Sequence, residues 1–118
     1  MVKQEQSGTS AVVPGQPFAL KEMVSYAPGA IVSRVLTKND HCNLTLFAFD
    51  TGQGLTEHTS PFDAYVLLLD GKMQINVGGK AVEPEAGEAL LMPATVPHAL
   101  HAPVPAKVLL VMVRSQVG

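Results

Sequence analysis

Gly54-Leu55-Thr56-Glu57-His58-Thr59-Ser60 and Gly87-Glu88-Ala89-Leu90-Leu91-Met92-Pro93-Ala94-Thr95-Val96-Pro97-His98 are the stretches that decide how this chain folds. Each carries a histidine a few residues after a glycine, and strand-like apolar residues surround both. The second histidine follows the first by 40 positions, so only a chain that returns on itself brings the two together.

The residues around these stretches read as a β protein. Nine Pro and ten Gly recur at short intervals and leave little room for a long helix. Between them lie segments rich in Val, Leu and Phe: Ala30 to Leu36, Asn43 to Phe49, Ala64 to Leu69, Lys72 to Val77, Glu88 to Met92 and Lys107 to Val113. Leu44 to Phe49 is apolar at nearly every position, as a strand covered on both faces must be. Met73 to Val77 alternates, with Gln74 and Asn76 expected to face out. Asp70-Gly71 and Gly78-Gly79 read as two-residue hairpin turns and predict a three-strand meander from Ala64 to Val82. Short strands at this spacing predict an all-β sandwich or barrel.

Composition limits the function classes. The 118 residues make one domain, with 47% hydrophobic and 15% charged residues, which is globular rather than disordered. Residues 1–16 are rich in Gln, Ser, Thr and Gly and read as a flexible N-terminal tail; residues 17–118 form the barrel domain. Net charge is −2 and the eight Lys and Arg are scattered, so no basic stripe tracks phosphates and no nucleic-acid partner is expected. The longest apolar runs fall far short of the ~18 residues of a membrane span. Met1 to Ser10 is polar and unlike a signal peptide. The single cysteine, Cys42, permits no internal disulfide and fits a reducing compartment, so a cytoplasmic location is expected.

Together the two opening stretches resemble the paired motifs of the cupin superfamily. Gly87, Pro93 and His98 fall at the second motif's spacing, and Pro97 before the histidine is common there. In the first motif His58 stands at the first histidine and Gly71 at the closing glycine. Counting back from Gly71 places Ala64 at the motif glutamate and Ser60 at the second histidine. Thr95 replaces the motif glycine and Ala102 the asparagine. The resemblance spans roughly Ile31 to Val113 and implies a double-stranded β-helix, or jelly-roll barrel, with little or no helix. It also implies a homodimer, for which Phe18 to Tyr26 is the expected exchanged strand.

A typical family member would hold iron, manganese, nickel or zinc through three histidines and a carboxylate. Here His58 and His98 keep two of those positions, and Ser60 and Ala64 supply neither imidazole nor carboxylate. The expected metal site is therefore His58 and His98 alone, holding a divalent transition metal (Fe, Mn, Ni or Zn) weakly. The expected pocket residues are His58, Ser60, Asp63, Ala64 and His98. Asp63, Glu57 and His101 neighbour inward positions and face the other way by strand parity. Asp63 caps a turn or orients a histidine. His41 is expected at the surface, Cys42 as a buried or semi-exposed thiol, and Met73, Met92 and Met112 as core fillers. The functional expectation is a small-molecule-binding cupin with an atypical metal site, of the kind that serves oxygenase or isomerase chemistry. The alternatives are a non-catalytic binding module without metal and a metal-free histidine acid–base enzyme resembling the family's sugar epimerases.

Overall fold

Among the described residues there are ten strands, because glycines and prolines cut the apolar sequence into short extended segments with a side-chain period of two. The structure is a computed structural model and describes residues 3–6 and 12–114. The strands are β1 (Lys3–Gln6), β2 (Ala30–Lys38), β3 (Cys42–Phe49), β4 (Gly54–His58), β5 (Phe62–Asp70), β6 (Gln74–Val77), β7 (Lys80–Val82), β8 (Ala89–Met92), β9 (His98–His101) and β10 (Ala106–Arg114). They form a six-stranded sheet in the order β1-β2-β3-β10-β5-β8 and a four-stranded sheet in the order β4-β9-β6-β7. Among the described strands only β1 pairs in parallel; it lies beside β2 at one sheet edge. Of the predicted tail, residues 1–2 and 7–11 lie outside the described residues, and Lys3–Gln6 is not loose chain but strand β1. Among the described residues the one helical element is a 3-10 turn over Leu20–Met23, and no helix is long and apolar enough to cross a membrane.

The core lies between the sheets. Ile31, Phe49, Val66, Leu68, Ile75 and Val108 are buried there, contributed by strands of both sheets. Strand β3 is covered on both faces, as its continuous apolar run predicts. Phe47 and Phe49 point into the space between the sheets, and Leu46 and Ala48 lie under the segment that carries the 3-10 turn.

Two expectations about elements are corrected. Asp70-Gly71 does not close a hairpin, because β5 belongs to the six-stranded sheet and β6 to the other. Gly71, at φ 79°, turns a corner between sheets, and its backbone packs so closely on Pro105 that a Cβ would collide with the Pro105 carbonyl oxygen. The meander is thus the single hairpin β6–β7, closed by Gly78-Gly79 with positive φ at both residues. The segment Phe18 to Tyr26 is likewise not a strand. It carries the 3-10 turn, with Val24 buried beside Val32 and Leu46. Arg34 Nη1 donates to the Met23 carbonyl (3.2 Å), Lys107 Nζ to the Lys21 carbonyl (2.6 Å) and the Tyr26 hydroxyl to Asp70 Oδ2 (2.8 Å).

Candidate functional site

Strand pairing brings the two motif histidines together. His58 ends β4, His98 begins β9, and the two residues are direct register partners. Their Nε2 atoms lie 3.1 Å apart, with ring centroids separated by 4.3 Å and planes at 71°. His98 is 4% exposed, whereas His58 sits at the solvent edge. Each ring is tied to the backbone in the same way. His58 Nδ1 lies 2.7 Å from the Thr56 carbonyl oxygen, and His98 Nδ1 lies 3.2 Å from that of Val96. A carbonyl can only accept, so each Nδ1 carries the hydrogen and each Nε2 presents a lone pair.

The tautomers therefore leave an imbalance. Three short contacts need three hydrogens, and two neutral imidazoles own two. Both are used on carbonyls, which leaves the Nε2–Nε2 contact without one. Protonating a ring would supply it, but burial holds His98 below the usual histidine range. The Val96 carbonyl opposes this shift and the neighbouring His58 adds to it.

The paired rings form one wall of a cavity of about 230 Å³ between the sheets. Phe47, Phe49, Val108, Leu110 and Met112 line it from β3 and β10; Leu55, Ala64, Met92 and Leu100 complete the apolar wall. The polar lining residues are His58, His98 and Ser60. Met92 and Met112 thus face the cavity as well as the core. A wider groove of about 630 Å³ follows the β7 and β8 edges past Lys80, Glu83 and Glu88 and contains neither histidine.

A pinned loop holds His98 in place. Thr95 N–H donates to the Ser60 carbonyl (2.8 Å), and Gly78 N–H donates to the Pro97 carbonyl (2.8 Å). Asp63 Oδ1 accepts from Ala94 N–H (2.8 Å). Thr95 has φ 67°, in the left-handed region that a β-branched side chain disfavours. The position is that of the lost motif glycine, and a positive φ borne by threonine is the backbone consequence of that loss.

Of the predicted pocket residues, His58, Ser60, Ala64 and His98 line the cavity and Asp63 does not. Its carboxylate fastens the loop, so the idea that it orients a histidine is corrected: the Thr56 and Val96 carbonyls do that. Glu57, His41 and His101 are exposed, and Cys42 is half-buried. What sequence reading missed are the two carbonyls and the inward Phe47 and Phe49. Phe47 and Phe49 share strand parity, a usable signal once one inward position on β3 is known.

The donor set does not fit the metal site that the resemblance implies. Ser60 offers a hydroxyl and Ala64 a methyl group where imidazole and carboxylate would stand. Among the described residues no three His, Cys, Asp or Glu side chains are grouped to hold an ion. Protein metal sites generally use at least three protein ligands.

Comparison with known proteins completes the picture. Residues 45–113 match the family described as Cupin domain. A conserved protein of unknown function from Streptococcus pyogenes is 30% identical, with a TM-score of 0.85, over 94% of this chain and 97% of that one. A Cupin 2 conserved barrel domain protein from Leptotrichia buccalis is 37% identical, with a TM-score of 0.79, over 81% of this chain and 47% of that one. KdgF from Halomonas sp., 19% identical over 79% of this chain and 87% of that one, shares the fold with a TM-score of 0.68. No curated protein matches. The glycine-spaced histidines, the two-sheet barrel and the match over residues 45–113 agree: this chain belongs to the cupin superfamily.

Proposed function

We propose that the protein is a small-molecule-binding cupin whose ligand enters the barrel cavity and is oriented there by His58 and His98. One observation carries this reading: an apolar cavity whose polar wall is a pair of converging Nε2 lone pairs. Burying the His98 ring without a donor to its Nε2 is costly, and a ligand or ion offsets that cost. A divalent Fe, Mn, Ni or Zn ion would find two imidazoles here and would exchange readily. Oxygenase or isomerase chemistry through it is thus the second reading, favoured by the convergence of the two Nε2 atoms. The acid–base alternative lacks a carboxylate behind either ring.

The test is a thermal-shift screen of one-ring and similarly small compounds, alongside elemental analysis of protein prepared without tag or chelator. Binders at a hundred times Kd stabilise the parent by about 2.7 kcal/mol. The folded variants His58→Ala and His98→Ala lose most of the response to binders that carry a polar group, and metal content stays well below one ion per chain. Equal responses in parent and variants refute the cavity assignment; stoichiometric metal favours the second reading.

We further propose a homodimer through the outer face of the six-stranded sheet. Leu44, Val111, Tyr65 and Leu91 form one cross-strand row there, on the face opposite the cavity residues Leu110, Met112, Ala64 and Met92. Tyr65 is 49% and Leu91 42% exposed, so the row leaves large apolar side chains open to solvent side by side.

A further inference from the structure

With both rings neutral the His58–His98 pair is one hydrogen short, and the cavity around it limits where that hydrogen comes from. The Thr56 and Val96 carbonyls hold both N–H groups, so the two Nε2 atoms, 3.1 Å apart, can only accept. His98 is 4% exposed, so bulk water reaches the pair only from the side of His58, which stands at the solvent edge. A single water inside the cavity could donate to the pair, with the two Nε2 atoms and the Ser60 hydroxyl, which also accepts from Phe62 N–H (3.1 Å), as its polar partners. Such a water leaves the apolar remainder of the cavity unfilled, so a guest that brings its own donor can displace it.

The remaining wall is apolar and includes two phenylalanine rings with centroids 5.9 Å apart. An apolar cavity of about 150 Å³ takes one benzene ring. At about 230 Å³ this one has room for a ring and one small substituent. Size, wall and acceptor pair together describe a single kind of guest.

We infer that the ligand supplies the missing hydrogen: the cavity takes a one-ring apolar molecule with one O–H or N–H donor, which it bonds to the Nε2 pair of His58 and His98. The inference rests on the cavity being the ligand site and adds the chemical class that the site selects. Neither a bare hydrocarbon nor a pure acceptor of the same size satisfies the pair. A donor with a second polar group would leave that group unpartnered against Phe47, Leu110 or Met112.

The experiment titrates the full chain, in EDTA at neutral pH, with phenol, anisole and toluene. Amide spectra report binding, and imidazole ¹⁵N spectra report the ring nitrogens. Phenol is expected to bind at least about tenfold more tightly than anisole or toluene. It shifts both Nε2 resonances and leaves both Nδ1–H groups in place. In His58→Ala toluene still binds, and the advantage of phenol over it falls below about threefold. Equal binding of phenol and toluene overturns the inference but leaves the cavity as a ligand site. So does a preference for anisole, which would mean that the pair already holds a third hydrogen. Phenol binding that requires added zinc overturns it in favour of a metal. If none of the three binds the folded protein, the inference and the reading of the cavity fall together.

Discussion

At the scale of single residues, the loop before His98 trades backbone comfort for position. Thr95 holds φ 67° while its N–H is bonded to Ser60, and a β-branched residue in that region costs of order 1 kcal/mol or more. Thr95→Gly should therefore raise stability by about 1 kcal/mol, a gain of about 4 °C in melting temperature. A lower melting temperature would mean that the threonine side chain returns more than its backbone loses. His98 makes a second prediction. Burial lowers its folded-state proton affinity below that of the unfolded chain, at about 6.5. The unfolded state then binds more protons than the folded one as pH falls through that value, so stability drops from about pH 7 to about pH 5. Urea midpoints across this range, in EDTA, should fall for the parent and much less for His98→Gln. A parent that gains stability on acidification would show that the pair traps a proton instead.

At the scale of elements, the corner after β5 is where the barrel is closed. Gly71 combines φ 79° with a backbone packed against the Pro105 carbonyl, so it can bear no side chain there. Gly71→Ala should cost about 3 kcal/mol, read as a fall in the urea midpoint, because β10 must retreat to make room. An effect under about 1 kcal/mol would mean the corner is free to move. The same corner explains why hairpin chemistry misled. Asp70-Gly71 has the residues of a two-residue turn, but a glycine supplies positive φ equally well to a sheet-to-sheet bend. Gly78-Gly79, with the same local chemistry, does close a hairpin, because its flanking strands β6 and β7 share a sheet.

At the scale of the whole molecule, two apolar surfaces need covering. One is the cavity; the other is the outer face of the six-stranded sheet. The segment from Phe18 to Tyr26 covers part of that face, at Val32, Leu46 and Ala48, and stops short of the row from Leu44 to Leu91. A second copy meeting that row would hide it without altering the cavity. Light scattering should then give twice the 12.5 kDa chain mass, and Tyr65→Lys with Leu91→Lys should return the monomer with its circular dichroism unchanged. A parent that is monomeric at micromolar concentration removes the homodimer.

The sequence by itself determined the all-β class, the family, the β6–β7 turn and the loss of two metal ligands at Ser60 and Ala64. Those features follow from local propensity and from spacing along the chain. Strand parity even separated the inward Ala64 from its neighbour Asp63. Tertiary structure alone decided that the Thr56 and Val96 carbonyls fix both imidazole tautomers, that Asp63 fastens the Ala94 loop, and that Phe47 and Phe49 furnish the cavity wall. Each of these depends on which strand lies beside which and on which face turns inward. Parity within a strand is periodic and local, but the sheet that makes one face the inside is assembled from residues far apart in sequence. The approach of the two Nε2 atoms to 3.1 Å is such a property: it belongs to the pairing of β4 with β9 and to neither motif alone.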